Sequence, residues 1–183
     1  MDGASDDLWV FGYGSLMWQP GFDHVERHIA VLDGHRRSFC LRSVRYRGTP
    51  EAPGLVLGLD PHPGAHCTGV AYRVAAPLRD ATHAYLRERE LVTYAYREAW
   101  LPVRIAPGAT VTALCYVVDP AHAQYAGALD PAAQAAIIAT AHGPRGSNRD
   151  YLSNTLTQLD ECGIVDDDLA ALGALVARQA QGG

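Results

Sequence analysis

The sequence predicts an α+β fold: a mainly antiparallel, barrel-like mixed sheet with one helix inserted among the strands and further helices near the C-terminus. Short apolar or alternating segments, separated by glycine and proline, account for most of residues 8–118. A single helical pattern interrupts them at residues 77–91. From residue 130 onward the apolar positions repeat at helical spacing. A doubly wound parallel sheet would instead alternate strands and helices throughout.

Short apolar runs bounded by turn residues predict the strands. Residues 8–11 (LWVF) are typical of a buried strand that a glycine ends. Pro61, Pro63 and Gly64 predict a turn between two later strands, and the Pro-Gly pair at 107–108 predicts the turn of a hairpin. The predicted strands are residues 8–11, 38–44, 55–59, 68–74, 100–105 and 111–118.

Apolar spacing and capping residues predict the helices. Pro77 suits the first turn of the inserted helix. Asp130 followed by Pro131 combines an N-cap acceptor with a preset φ angle. Gly163 is expected to end the helix that precedes it. The predicted helices are residues 77–91, a segment that begins at 130, residues 147–161 and residues 166–178.

The length and net charge of the chain limit the number of domains and the kinds of partner that we expect. A chain of 183 residues can build one core, so we predict a single domain over residues 1–183. The formal net charge of −5 disfavours a nucleic-acid partner, because phosphate binding depends on a basic surface. Five arginines nevertheless fall close together and can attract an anionic ligand: Arg36, Arg37, Arg42, Arg45 and Arg47.

Cysteines and histidines give no pattern typical of a metal site. The 4 cysteines are far apart, without a C-x-x-C pair, and we expect them to be reduced and mostly buried. Among the 8 histidines, His62 and His66 have i,i+4 spacing, but they fall in the predicted proline turn. The sequence has no secretory signal pattern and no apolar run of membrane-spanning length. We therefore expect a cytoplasmic protein without a metal or a membrane partner.

A glycine turn at residues 12–16 (GYGSL) follows the first predicted strand directly. Its glycines permit positive φ angles and close approach of a ligand to the backbone. Successive N–H groups in such a turn can converge on an anion, so a carboxylate or a developing oxyanion is the expected guest. The pattern is neither G-x-G-x-x-G nor a phosphate-binding loop. A plain turn at the end of a strand is the alternative interpretation.

Several blocks of sequence, in order along the chain, resemble the ChaC-type γ-glutamylcyclotransferases. The resemblance spans about residues 9–160, and blocks in the same order are more specific than any one of them. The matching blocks are residues 10–18 (VFGYGSLMW), 47–59 (RGTPEAPGLVLGL), 69–74 (GVAYRV), 85–90 (YLRERE) and 141–152 (AHGPRGSNRDYL).

The resemblance implies a γ-glutamylcyclotransferase-like fold and an intramolecular aminolysis. In that reaction the α-amino group of a γ-glutamyl unit attacks its own γ-carbonyl, which closes 5-oxoproline and releases the amine partner. For ChaC-type members the substrate is glutathione, the released amine is cysteinylglycine, and no cofactor takes part. The family's catalytic glutamate corresponds to Glu90.

The chemistry of this reaction agrees with a glutamate as the central group. A base must take a proton from the α-ammonium, and the leaving amine needs a proton in return. A carboxylate whose pKa is raised in a partly apolar site can do both. Helical spacing alone does not separate Glu88 from Glu90, which flank the direction of Arg89 on opposite sides. The choice of Glu90 as the catalytic residue therefore rests on the resemblance.

The predicted substrate-binding residues come from the glycine turn and three later positions. Ser15 is expected to offer its hydroxyl and amide rather than to act as a nucleophile. Arg89 either lines the site or makes a structural ion pair, and Tyr13 either lines the pocket or packs in the core. Tyr116 and Tyr125 either bind the glutamyl carboxylate or have a structural role. These residues are Val10, Phe11, Gly12, Tyr13, Gly14, Ser15, Leu16, Arg89, Tyr116 and Tyr125.

Two other functions remain open at this stage. The chain can be a cyclotransferase for other γ-glutamyl amines or amino acids. It can also be a non-catalytic binding or regulatory protein that has the same fold. In each case the expected partner is a small γ-glutamyl compound, of which glutathione is the first choice.

Overall fold

Five strands close into a mainly antiparallel barrel in the order β1-β3-β2-β4-β5. Strand β1 is antiparallel to β3 and parallel to β5, so the sheet is mixed. One helix is inserted between β3 and β4, and three more follow β5, which confirms the predicted fold class. The elements are β1 (Leu8–Gly12), β2 (Glu26–Ser43), β3 (Gly54–Val74), α1 (Arg79–Glu90), β4 (Tyr96–Ala106), β5 (Ala109–Val118), α2 (Pro131–Thr140), β6 (His142–Gly143), β7 (Gly146–Ser147), α3 (Asn148–Glu161) and α4 (Asp167–Gln181).

The computed structural model describes residues 6–93 and 95–182. Their contacts divide into two compact units. The first unit runs to Arg36 and resumes over Pro61–Asp119, and the second takes Arg37–Asp60 and continues from Pro120. The single domain over residues 1–183 stays a prediction.

The core of the first unit joins the barrel to the inserted helix. Val10 of β1 and Leu114 of β5 are both fully buried and stand opposite each other in the parallel pair. Leu86 of α1 and Leu16, which follows β1, pack in the same apolar cluster as these strand residues. The residues after β1 and the last turns of α1 are therefore held against one core.

Two strands are longer than the sequence predicts. Strand β2 begins at Glu26, whereas the sequence predicts a start at residue 38. The earlier start was missed because the first half of the strand carries polar side chains, such as Glu26 and His28, at half-buried positions and so lacks an apolar alternation. Strand β3 runs unbroken through Pro61 and Pro63, where a turn was predicted. Residues 62–64 there are exposed, and proline is compatible with a strand where its missing N–H has no ladder partner.

Three helices of the second unit begin one residue after the predicted first positions 130, 147 and 166, and the residues at those positions are the N-caps. The side chains of Asp130, Ser147 and Asp166 accept hydrogen bonds from backbone N–H groups three residues later, at 2.8, 3.1 and 3.0 Å. Gly163, with a φ of 71°, follows α3 as predicted. Within the described residues, no helix combines the length and apolar character that a membrane crossing requires.

Candidate active site

The glycine turn continues into the short 3₁₀ helix Ser15–Met17, and Gly12 packs closely against that helix. A Cβ atom on Gly12 would lie 3.0 Å from the Cβ of Leu16 and 3.2 Å from the backbone nitrogen of Met17. The expectation of positive φ angles was wrong: Gly12 lies at the end of an extended strand, and Gly14 has a φ of −129°. Glycine at position 12 is required by the close approach of the following residues instead.

The turn exposes backbone donors and buries most of its side chains. The N–H of Met17 donates to the carbonyl of Gly14 at 2.9 Å. The N–H groups of Gly14, Ser15 and Leu16 have no acceptor within residues 6–93 and 95–182, as expected where a helix begins. Binding of an anion by these N–H groups stays a prediction. Of the predicted binding residues, Ser15 is exposed, whereas the side chains of Val10, Phe11, Tyr13 and Leu16 are buried.

Arg89 joins the glycine turn to Glu90. Its Nη2 donates to the hydroxyl of Ser15 at 3.0 Å, and its Nε lies 3.2 Å from Oε1 of Glu90. Its Nη1 donates to the carbonyls of Gln19 and Pro20, at 2.8 and 3.0 Å. Nη2 carries two hydrogens, and the contact with Ser15 uses one of them.

Glu90, the last residue of α1, is mostly shielded from solvent. Its side chain is 18% exposed, while Glu88 is exposed. Burial raises the pKa of Glu90 above its ordinary value, and the positive charge of Arg89 opposes this effect only in part. A carboxyl group with a raised pKa can accept and return a proton near neutral pH. Of the two glutamates that helical spacing left open, Glu90 has the environment of an acid–base group.

Tyr116 is fully buried on β5 and binds a second carboxylate. Its hydroxyl donates to Oε1 of Glu98 at 3.1 Å, across the β4–β5 pair in which the two residues stand opposite each other. Burial, together with the negative charges of Glu98 and Glu90, raises the pKa of Tyr116, so the phenol stays neutral. Tyr116 also packs in the same apolar cluster as Leu86 of α1 and Leu91, the residue that directly follows Glu90.

Tyr125 lies in the second unit. Its hydroxyl donates to Oδ1 of Asp60 at 2.8 Å, and its backbone forms a bridge with Leu41. The structure thus brings together the glycine turn, Arg89, Glu90 and Tyr116 in the first unit. The role of Tyr125 in substrate binding stays a prediction.

Sequence reasoning missed Glu98, which accepts hydrogen bonds from His83 and Arg87 of α1 as well as from Tyr116. The i,i+4 spacing of His83 and Arg87 on a predicted helix is a signal that both face one partner. Their partner could not be identified without the position of β4 against the helix, because tertiary packing determines it.

The late motif is a structural connection within the second unit. The Asn148 side chain is fully buried, accepts from the N–H of Leu55 at 2.7 Å and donates to its carbonyl at 2.8 Å. Arg47 donates to the carbonyl of Arg145 at 2.8 Å and stacks on the ring of Tyr151. These contacts hold the segment around residue 47 to the start of α3.

Two members of the arginine cluster are also committed to other protein groups. Arg37 is buried and pairs with Asp166 at 2.8 Å. Arg47 binds backbone carbonyls of the late motif. Attraction of an anionic ligand by the cluster stays a prediction for Arg36, Arg42 and Arg45. Across residues 6–93 and 95–182, no three histidine, cysteine or acidic side chains are grouped so as to hold a metal ion.

Comparison with known proteins gives consistent matches over most of the chain. A family model described as ChaC-like protein matches residues 8–179. The glutathione-specific gamma-glutamylcyclotransferase of Escherichia coli (strain K12) is 38% identical over 162 residues, covering 88% of this chain and 69% of that protein. The human glutathione-specific gamma-glutamylcyclotransferase 1 is 34% identical over 177 residues, covering 93% of this chain and 79% of that protein.

A crystal structure shares the fold. It is described as a yeast gamma-glutamyl cyclotransferase specific to glutathione and superposes with a TM-score of 0.82 at 24% sequence identity. The match covers 95% of this chain and 99% of that chain. This chain therefore has the same fold as a solved structure.

Proposed function

This chain belongs to the ChaC-like family, as its motifs predict, and on that premise we propose that it is a glutathione-specific γ-glutamylcyclotransferase. It is an enzyme that converts glutathione into 5-oxoproline and cysteinylglycine. One observation within the chain carries the proposal. The Arg89 guanidinium contacts both Ser15 of the glycine turn and the Glu90 carboxylate, so an anion-binding backbone lies beside an acid–base group.

Glu90 moves the protons in the proposed mechanism. The α-ammonium of the glutamyl unit loses a proton to the Glu90 carboxylate, and the free amine attacks the γ-carbonyl carbon. A C–N bond forms to close the ring, and the C–N bond to cysteinylglycine breaks. The lactam nitrogen keeps one of the three ammonium protons, and the other two leave on the released amine as its ammonium group. The raised pKa of Glu90 supports both directions of transfer.

The glycine turn binds the negative charge of the substrate in this proposal. The N–H groups of Gly14, Ser15 and Leu16, together with the Arg89 guanidinium, are the proposed donors for a carboxylate or for the oxygen that becomes negative as the ring closes. Fixed donors of this kind lower a barrier by about 3 kcal/mol each. Tyr116 packs in the apolar cluster that contains Leu86 and contacts Leu91, and this position supports a role in orienting the glutamyl group.

The proposed location is the cytoplasm, where glutathione is abundant and thiols stay reduced. Cys40, Cys67 and Cys115 are buried free cysteines, which is consistent with a reducing compartment. The single domain over residues 1–183 is likewise part of the proposal, and it is supported by the family model, which runs through both units.

Product analysis tests the function directly. Purified protein is incubated with glutathione and, separately, with γ-glutamyl-alanine, and 5-oxoproline and the released amine are measured by mass spectrometry. We expect 5-oxoproline and cysteinylglycine in equal amounts from glutathione. Turnover of γ-glutamyl-alanine with glutathione left intact would replace the substrate assignment, and no 5-oxoproline from either compound would favour a binding protein of the same fold.

A further inference from the structure

A second carboxylate, that of Glu98 on β4, binds polar side chains from two neighbouring elements, α1 and β5. Arg87 of α1 binds both carboxylate oxygens, with Nε to Oε1 and Nη2 to Oε2 at 2.8 Å each. His83 of α1 contacts Oε1 at 2.8 Å, and Tyr116 of β5 donates to the same oxygen at 3.1 Å. Glu98 thereby connects the inserted helix to the β4–β5 hairpin.

The helix residues that bind Glu98 lie on the same side of α1 as Glu90. His83, Arg87 and Glu90 are spaced i, i+4 and i+7, which places them along one stripe of a helix. Arg87 precedes Glu90 by three residues, a spacing at which arginine and glutamate side chains form ion pairs. The bidentate contact with Glu98 keeps the Arg87 guanidinium on another partner.

We propose that Glu98 is a positioning residue for the cyclisation. By binding Arg87 through both carboxylate oxygens, it withholds that guanidinium from Glu90 and holds the last turns of α1 against β4. The inference rests on the proposed function, since it concerns how Glu90 is kept ready for proton transfer. It adds a residue outside the matching sequence blocks that acts on the reaction only through its neighbours.

The charges around Glu98 and Glu90 agree with a positioning role for Glu98 and a proton-transfer role for Glu90. The guanidinium of Arg87 foremost, assisted by the hydrogen bonds of His83 and Tyr116, lowers the pKa of Glu98 to about 2, so Glu98 stays ionised at working pH. The guanidinium that contacts Glu90 is that of Arg89, at 3.2 Å, whereas Arg87 contacts both carboxylate oxygens of Glu98. An additional cation beside Glu90 would stabilise its ionised form and make it a weaker base.

The pKa of Glu90 in wild type and in Glu98→Gln tests the proposal. Protein labelled with ¹³C at the glutamate side-chain carboxyl is titrated by NMR, and the Glu90 signal is assigned by its loss in Glu90→Gln. Loss of the Glu98 charge releases Arg87, so we expect the pKa of Glu90 to fall by about one unit. The acidic limb of the kcat profile should move to lower pH by the same amount, with kcat at neutral pH reduced roughly three- to tenfold and KM unchanged.

Two further variants separate charge from structure. Glu98→Gln combined with Arg87→Gln removes the released cation and should return the pKa of Glu90 to its wild-type value, whereas a merely structural loss would persist. Glu98→Asp keeps the charge but shortens the reach to Arg87, so it should show a smaller fall and serves if Glu98→Gln does not fold. Glu88→Gln is the matched control and should leave the pKa of Glu90 unchanged.

The proposal is overturned if folded Glu98→Gln and Glu98→Asp both leave the pKa of Glu90 unchanged. It is also overturned if the double variant keeps the lowered value. The NMR titration needs no turnover, so it remains informative if wild type makes no 5-oxoproline. In that case the proposed function fails, while the effect of Glu98 on Glu90 is still decided.

Discussion

Two regions of the chain lie within sequence blocks that resemble the same family. The first is the glycine turn with Arg89 and Glu90, and the second is the structural connection that holds the segment around residue 47 to the start of α3. Their polar groups are used differently. In the connection, the Asn148 amide is fully buried and binds both backbone groups of Leu55. In the turn, N–H groups have no acceptor in the described part of the chain, and Glu90 has a raised pKa. Both regions are similar in sequence to the family. Their hydrogen bonds distinguish them: those of the connection are satisfied within the protein, as in a structural element, whereas the turn has donors that no described residue pairs, as in a candidate active site.

The physical reason is the cost of leaving polar groups unpaired. A protein gains stability when a buried amide has its partners and loses it when they are absent. Unpaired backbone donors and a desolvated carboxyl group lower the stability of the folded protein. Groups of this kind concentrate at functional sites, where they take part in binding or catalysis. The comparison therefore predicts opposite outcomes for substitutions: loss of activity in the first region and loss of stability in the second.

The largest expected effect is on turnover in Glu90→Gln. The amide keeps the shape of the side chain but cannot accept or return a proton, so kcat should fall by about a thousandfold or more. The variant should unfold at the same denaturant concentration as wild type or a higher one, because it removes a desolvated carboxyl group. Steady-state production of 5-oxoproline and urea titration measure the two quantities.

Glu88→Gln is the matched control for this substitution. Glu88 is an exposed glutamate in the same turn of helix, so its amide variant should keep wild-type turnover. Equal activity losses in the two variants would show that the base had been assigned to the wrong residue.

The second effect is on stability in Asn148→Ala. The truncation leaves the N–H and carbonyl of Leu55 without their buried partner, which should lower the free energy of unfolding by about 2–4 kcal/mol. The kcat per folded molecule should stay close to wild type, because the side chain is committed to backbone. Asn154→Ala, an exposed asparagine of the same helix, should change neither quantity. A stable but inactive Asn148→Ala would instead place Asn148 among the groups that act in turnover.

Much of the fold could be predicted because local signals and tertiary structure agree. Asp130 caps the helix that it predicts, and the helices predicted to start at residues 147 and 166 are capped by Ser147 and Asp166. The full length of β2 and β3 could not be predicted, because half-buried polar residues interrupt the alternation of β2 and prolines within β3 suggest a turn. Those positions depend on neighbouring strands, which no short segment reveals.

The candidate site was predictable in part for the same reason. The glycine turn and Glu90 could be selected because matching blocks carry them, but the residues between and around them could not. That Arg89 contacts both Ser15 and Glu90 depends on packing between α1 and the residues after β1. The reason for a glycine at position 12 also could not be predicted. Close packing and a positive φ angle both favour glycine, and only the structure shows that close packing applies here.

The smallest of the three effects, expected in Arg89→Gln, sharpens the comparison further, because Arg89 is the contact between the two parts of the site. Arg89 lowers the pKa of Glu90 against the larger effect of burial, so its neutral replacement should raise that pKa further. The reaction needs the carboxylate form, and the acidic limb of the kcat/KM profile should therefore move to higher pH. Loss of the contact with Ser15 should reduce kcat/KM about tenfold even above that limb.

Arg149→Gln removes an exposed arginine from α3 and should leave the pH profile of turnover unchanged. An acidic limb that stays in place in Arg89→Gln would mean that the guanidinium does not act on the base. A limb that moves to lower pH would contradict the sign of the Arg89–Glu90 interaction. The expected upward shift is opposite to the downward shift expected for Glu98→Gln, because one substitution removes a cation beside Glu90 and the other releases one. That opposition of sign distinguishes electrostatic control of Glu90 from general damage to helix α1, which would reduce activity in both variants without moving the limb in opposite directions.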